Sequence, residues 1–160
     1  MRYLQFLSLF ALASFRSSVC DKDAILGNWS FYELKDPAGK VNYAKDPVQQ
    51  KLLTDALVKE QLELYKDGGI DESMIRELID KQFKAIDNIT FTFKNDGKID
   101  ITSITPETPP SQSDYRLDQK AKTIVIRSEA GEMTYTYQFH DDKVTLSGPQ
   151  EEFTFVRKKA

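Results

Sequence analysis

The acidic pairs and the single histidine are the first groups in this chain that could carry out hydrolytic or metal chemistry. His140 is followed directly by Asp141 and Asp142, and a second carboxylate pair stands at Glu151 and Glu152. A catalytic or zinc-binding histidine needs a second imidazole or a thiolate beside it, and neither is available to it here. Both acidic pairs fall in or next to turns, where carboxylates are solvated. We therefore predict no catalytic residues, no metal site and no cofactor, and we expect a non-enzymatic protein.

Motifs for calcium, phosphate and nucleic-acid binding are also missing. Asn95-Asp96-Gly97 lacks the twelve-residue loop and the further oxygen ligands of a calcium site, so we expect a plain hairpin turn there. No P-loop or dinucleotide fingerprint occurs. The net charge is -3, and no basic stripe is present beyond the short tail Arg157-Lys158-Lys159. These features exclude a nucleic-acid partner from the expected functions.

Aromatic and sulfur side chains form the best candidate for a binding surface. They alternate along one strand pattern from Met133 to Phe139, and tyrosine hydroxyls in an apolar space are typical of small-molecule pockets. The same side chains could instead simply fill the interior, since a small barrel is only just wide enough for its own core. The sequence leaves both readings open. The predicted ligand-binding residues are Phe91, Phe93, Tyr115, Met133, Tyr135, Tyr137 and Phe139.

Strand patterns at both ends of the chain must position these residues. The first runs from Leu26 to Lys35, and short alternating runs such as Ile89-Phe93 follow one another from residue 87 onward, separated by turns. About eight strands result, nearly all with one large apolar face. Closing them into an antiparallel up-and-down β-barrel hides that face and removes both sheet edges. We predict this mainly β barrel, with an antiparallel sandwich as the alternative.

Helical patterns occupy the region between the first and second strands. Asp46-Pro47 is a typical helix start, Gly68-Gly69 a typical stop, and Asp71 a cap for a second helix with an apolar stripe. We predict a two-helix insert over residues 46–86. Its apolar stripes should pack on the barrel across one mouth, or else bind a partner protein that the sequence does not identify.

The N-terminal segment reads as a targeting signal. Residues 1–20 combine Arg2, an apolar stretch over residues 3–13 and small residues before Cys20, the layout of a secretory signal peptide. The lone cysteine after this stretch resembles the lipobox of bacterial lipoproteins, in which the cysteine is lipidated; simple cleavage after Ala13 or Cys20 is the alternative. The remaining residues 21–160 are long enough for one domain with a real core.

Gly27-Asn28-Trp29 on the first predicted strand resembles the G-x-W motif of lipocalins, eight-stranded barrels that hold small apolar ligands. In that family the tryptophan closes the barrel floor and a basic residue of the last strand lies across its ring. The resemblance implies this role for Arg157. The hairpin pattern Ile89-Gly97 resembles, more narrowly, a bacterial lipocalin-like group that is secreted or lipidated.

These observations favour an exported, lipocalin-like binding protein for a small hydrophobic or amphipathic ligand. The alternative is a structural or protein-interaction lipoprotein of the cell envelope with a filled barrel. A lipid on Cys20 would attach the protein to the bacterial cell envelope, at the outer membrane or the cell surface. Without lipidation we expect a periplasmic or secreted protein.

Overall fold

The computed structural model describes residues 20–64, 71–103, 110–129 and 131–159. The predicted signal segment before Cys20, the Gly68-Gly69 stop and most of the proline-rich stretch after Ser103 lie outside the described residues. The elements in chain order are α1 (Asp21–Ile25), β1 (Gly27–Lys35), β2 (Val41–Ala44), α2 (Pro47–Leu64), α3 (Glu72–Asp87), β3 (Ile89–Phe93), β4 (Lys98–Ser103), β5 (Ser111–Asp118), β6 (Thr123–Ser128), β7 (Gly131–His140), β8 (Lys143–Ser147) and β9 (Glu152–Arg157).

Eight of the nine strands form a closed antiparallel barrel. Strands β3 to β9 pair in sequence order, and β1 closes the ring by pairing with both β3 and β9. Along β1, residues 27–29 lie against β3, and residues 29–35 lie against β9. The predicted up-and-down barrel with a two-helix insert is therefore confirmed, and the sandwich alternative is wrong.

The short strand β2 was not predicted. Its four residues pair with the last part of β1, from Glu33 to Lys35, and the two helices follow it. Four residues are too few to establish an alternating pattern. The strand is held by its tertiary neighbours, because Tyr43 is fully buried between the sheet and the helices. The insert thus comprises one strand and two helices.

Side-chain caps begin both helices where the sequence predicted. The Asp46 carboxylate accepts hydrogen bonds from the backbone N–H groups of Val48 (3.1 Å) and Gln49 (3.0 Å). The Asp71 carboxylate accepts one from Met74 N at 2.9 Å. These bonds satisfy N–H groups that have no partner inside the helix. Within the described part of the chain, no helix is long and apolar enough to cross a membrane.

The two ends of the barrel differ, and we name them by strand ends. At the base end, β1 begins at Gly27 and β9 finishes at Arg157; at the mouth end, β1 finishes at Lys35 and β9 begins at Glu152. α2 and α3 pack against β2 and β1 at the mouth end and form a second apolar core around Tyr43. Phe31 contacts both this helical core and the barrel core.

Candidate ligand-binding site

The base end is closed by an indole, a guanidinium and the short helix α1. Trp29 is 1% exposed, and its Nε1 donates a hydrogen bond to the Ile25 carbonyl at 2.7 Å. The Arg157 guanidinium carbon lies 4.4 Å from the centre of the Trp29 ring, a cation–π distance. Arg157 also donates to the carbonyls of Leu26 (2.7 Å) and Ala24. One arginine therefore joins the last strand to the first strand and to α1.

Gly27 makes this arrangement possible. Its φ is +113°, which side-chain-bearing residues rarely adopt. A Cβ at this position would lie 3.1 Å from Arg157 Nη1. The glycine is thus required both by the backbone conformation and by the close approach of the guanidinium.

A polar contact fixes α1 to the barrel wall. Tyr137 is buried, and its hydroxyl donates a hydrogen bond to the Asp21 carboxylate at 2.7 Å. The Lys122 ammonium pairs with the same carboxylate. The bond from Lys122, followed by the bond from Tyr137, lowers the pKa of Asp21. Burial, followed by the Asp21 bond, raises the pKa of Tyr137, so the phenol keeps its proton.

The seven predicted ligand-binding residues all face the barrel interior but are divided between its ends. The Tyr115 hydroxyl donates to the Lys94 carbonyl at the base end, at 2.8 Å, and the Tyr137 hydroxyl also turns to the base. The Tyr135 hydroxyl turns instead to the mouth, so these tyrosines do not share one pocket. The base half holds Phe93, Tyr115, Tyr137 and Phe139; the mouth half holds Phe91, Met133 and Tyr135.

The base half of the interior is filled by side chains. Trp29, Phe93, Ile99, Ile124 and Val144 are all buried there. Because this packing occupies the narrow interior of an eight-stranded barrel, it leaves the mouth half as the place for a ligand.

The mouth half presents a shallow apolar surface, which we call the mouth cup. Its residues belong to the barrel core but are only half-buried, whereas the residues beneath them are fully buried. Rings on neighbouring strands pack at its floor, with centroids 4.9 Å apart for Phe31 and Phe91 and 5.0 Å apart for Phe91 and Phe155. The cup is lined by Phe31, Phe91, Ile101, Ile126, Met133 and Phe153.

A tyrosine–carboxylate pair lies at the rim of the mouth cup. The Tyr135 hydroxyl lies 3.3 Å from a Glu151 carboxylate oxygen and 3.4 Å from the Met133 sulfur. Gly148, in the turn between β8 and β9, leaves room for the Tyr135 ring, since a Cβ there would lie 2.6 Å from it. Burial, followed by the charge of Glu151, raises the pKa of Tyr135 to about 12, so its hydroxyl stays protonated and can donate.

Sequence reasoning missed Glu151 as part of a site, because Glu151 and Glu152 were interpreted together as solvated turn acids. The two side chains have different surroundings: Glu152 pairs with Lys35 at 3.3 Å, while Glu151 contacts Tyr135. The contact depends on the register of three strands, which no local pattern encodes. An aromatic residue in β7 and an acid before β9 are the signals that could have suggested it.

The remaining sequence candidates lie outside the interior. His140 is exposed at the end of β7, and residues 94–98 form the predicted hairpin, with Lys94 N bonded to Lys98 O at 2.9 Å. Among the described residues, no group of three histidine, cysteine or acidic side chains is placed to hold a metal ion.

Two grooves lie on the outer surface. One, of about 570 Å³, runs along β7 and β8 beside Asp21 and Lys122. The other, of about 430 Å³, lies between α2 and α3 and is lined by Val58, Leu62 and Arg76 among others. Both are separate from the mouth cup.

Similarity to known proteins is limited to the fold. No family model and no curated protein matches the sequence significantly. The crystal structure of a DUF4847 family protein from Bacteroides vulgatus has 15% sequence identity and a TM-score of 0.54, covering 84% of this chain and 94% of that one. A lipocalin-like protein from Bacteroides uniformis has 9% identity and a TM-score of 0.46, covering 83% and 97%, and an uncharacterized protein from Bacteroides eggerthii has 15% and 0.44, covering 83% and 98%. The chain thus has a lipocalin-like barrel fold of a kind found in Bacteroides proteins.

Proposed function

We propose that this protein binds a small hydrophobic or amphipathic molecule in the mouth cup, without catalysing a reaction. The observation that carries the proposal is the difference between the ends: the base is sealed, while six large apolar side chains at the mouth stay half-buried. Each Å² of apolar surface removed from water contributes about 25 cal/mol. A ligand that covers the cup therefore gains affinity without reorganising the packed base.

The alternative, a filled barrel with a helical face that docks a partner protein, has less support. Ile75 and Phe83, two residues of the predicted apolar stripe, are buried against the helical core and are not available to a partner. Leu52 is exposed on α2, but scattered exposed leucines are common on protein surfaces.

Extraction and substitution test the binding proposal together. Purified protein is extracted with organic solvent for mass spectrometry, and binding of the neutral apolar dye N-phenyl-1-naphthylamine is measured by fluorescence. Ile126→Glu places a charge in the cup and should weaken dye binding at least about tenfold, because burying an unpaired carboxylate is costly.

The neighbouring residue provides the matched control. Val125 lies on the opposite face of β6 and pairs with Arg116, so Val125→Glu should leave dye binding unchanged. If no molecule co-purifies and the wild-type protein binds no apolar dye, the carrier function is wrong. Equal loss in both variants would move the binding site away from the cup.

We also propose that the protein is exported and anchored in the bacterial cell envelope by a lipid on Cys20. Cys20 is exposed at the base end, where its sulfur lies 3.3 Å from Gln119 Oε1, and α1 begins at the next residue. Because no linker separates Cys20 from the sealed base, an anchor there would turn the base to the membrane and the mouth cup away from it.

Fractionation tests the anchor. Cys20→Ala should move the protein from the membrane fraction to the soluble fraction and abolish labelling with a palmitate analogue. An unchanged distribution would remove lipidation from the proposal without affecting the binding function.

A further inference from the structure

The polar groups at the rim of the mouth cup carry one sign of charge. Tyr135 is 5% exposed, and its hydroxyl donates to the half-buried Glu151 carboxylate. Among the described residues, no lysine or arginine lies within ion-pair distance of Glu151. The carboxylate is therefore held in place by a neutral donor, and its negative charge is not compensated by a neighbouring cation.

The cations of the strand segments at this end are turned away from the cup and already paired. The Lys35 ammonium lies 2.6 Å from Glu33 and 3.3 Å from Glu152. The Arg127 guanidinium lies 2.7 Å from Glu132. Both cations face outward, because strand neighbours alternate and the residue beside each of them packs inside. They are thus poorly placed to bind an anionic head group in the cup.

A second phenol at the mouth end also contacts a carboxylate. The Tyr43 hydroxyl donates to Asp87 at 2.5 Å, within the helical core that borders the cup. The described tyrosine–carboxylate contacts at this end therefore add negative charge on two sides. A partly buried negative charge favours a cation over an anion of the same shape, because screening by water is reduced there.

We infer that the ligand is a cationic amphiphile, whose apolar chain covers the mouth cup and whose ammonium group binds at Glu151 and Tyr135. This inference rests on the proposed binding function and adds the chemical class of the ligand. An N–H donor on the ligand would form a charge-assisted hydrogen bond to the free lone pairs of the Glu151 carboxylate. The Tyr135 hydroxyl would keep that carboxylate oriented towards the cup.

Three twelve-carbon compounds with different head groups provide the test. Dodecylammonium, dodecanol and dodecanoate are titrated below their aggregation limits at pH 7.5, and each dissociation constant is obtained by displacing N-phenyl-1-naphthylamine. We expect dodecylammonium to bind about tenfold more tightly than dodecanoate, with dodecanol between them. In Glu151→Gln this preference should disappear while the affinity for dodecanol remains.

Glu132→Gln is the matched control, because it removes one carboxylate from the same end of the barrel on the outward face. It should retain the preference for dodecylammonium, which separates a local effect from one of net charge. Tyr135→Phe keeps the ring and should reduce the preference partially. Circular dichroism confirms that each variant is folded.

The outcomes separate the two proposals. A preference that persists in Glu151→Gln, or that is lost equally in Glu132→Gln, overturns the head-group inference. Equal binding of all three compounds to the wild-type protein also overturns it and leaves the carrier function intact. If none of the three binds and the dye does not bind either, the carrier function itself is wrong.

Discussion

At the scale of single residues, the sealed base depends on the absence of a side chain at position 27. We expect Gly27→Ala to lower the free energy of unfolding by about 2–3 kcal/mol, because it combines backbone strain with a forced shift of Arg157. Gly39→Ala is the matched control: its φ is +81°, but an added Cβ would meet no atom within 4 Å, so only the strain remains. Urea denaturation measures both. Equal losses would show that contact with Arg157 is unimportant.

The Asp21 carboxylate should make stability depend on pH. Its pKa is lowered in the folded protein by Lys122 and then by Tyr137, so its contribution is complete above the ordinary aspartate pKa and is lost as the pH falls through the lowered folded value. We expect the wild-type free energy of unfolding to fall more steeply than that of Asp21→Asn between about pH 5 and pH 2. Parallel pH curves from urea titrations would contradict this role.

At the scale of elements, α3 has one buried face and one free face. Ile79 is 6% exposed in the helical core, while the adjacent Leu78 is 58% exposed. Ile79→Ala should lower the free energy of unfolding by about 2–5 kcal/mol, the usual range for a buried isoleucine. Leu78→Ala should change it by less than about 0.5 kcal/mol. Chemical denaturation of both variants tests the orientation of the helix, and a reversed order would place the helical core on the other face.

The sequence predicts elements well where the signal is local. Asp46 and Asp71 mark the helix starts because a cap is formed within three residues of chain. The alternating strands predict their own buried faces for the same reason. β2 could not be predicted, since its four residues are stabilised by β1 and the helices rather than by their own pattern.

The candidate site was predictable only in part. Phe91, Met133 and Tyr135 were identified as inward-facing, because alternation fixes which face of a strand they occupy. Alternation does not give the height of a residue along the barrel. The separation of Tyr135 at the mouth from Tyr137 at the base arises from the partners of their hydroxyls, Glu151 and Asp21, which are distant in sequence.

At the scale of the whole molecule, function is divided between two ends. Trp29, Arg157 and α1 consolidate the base, which also holds Cys20. The mouth carries the apolar cup and the helices. A rigid closed base allows the mouth to expose apolar surface without unravelling the sheet, because the β1–β9 pairing extends from one end to the other.

The two cores should unfold together. Phe31 belongs to both, with its ring centroid 5.1 Å from that of Phe155 in the barrel and 6.4 Å from that of Tyr43 beside the helices. Trp29, the only tryptophan, reports on the base by fluorescence, while circular dichroism at 222 nm reports mainly on the helices. We expect both signals to give the same urea midpoint, as in a two-state transition. Ile79→Ala, although it lies in the helical core, should then lower the fluorescence midpoint as much as the dichroism midpoint, whereas an earlier loss of helix at an unchanged fluorescence midpoint would show that the insert unfolds independently of the barrel.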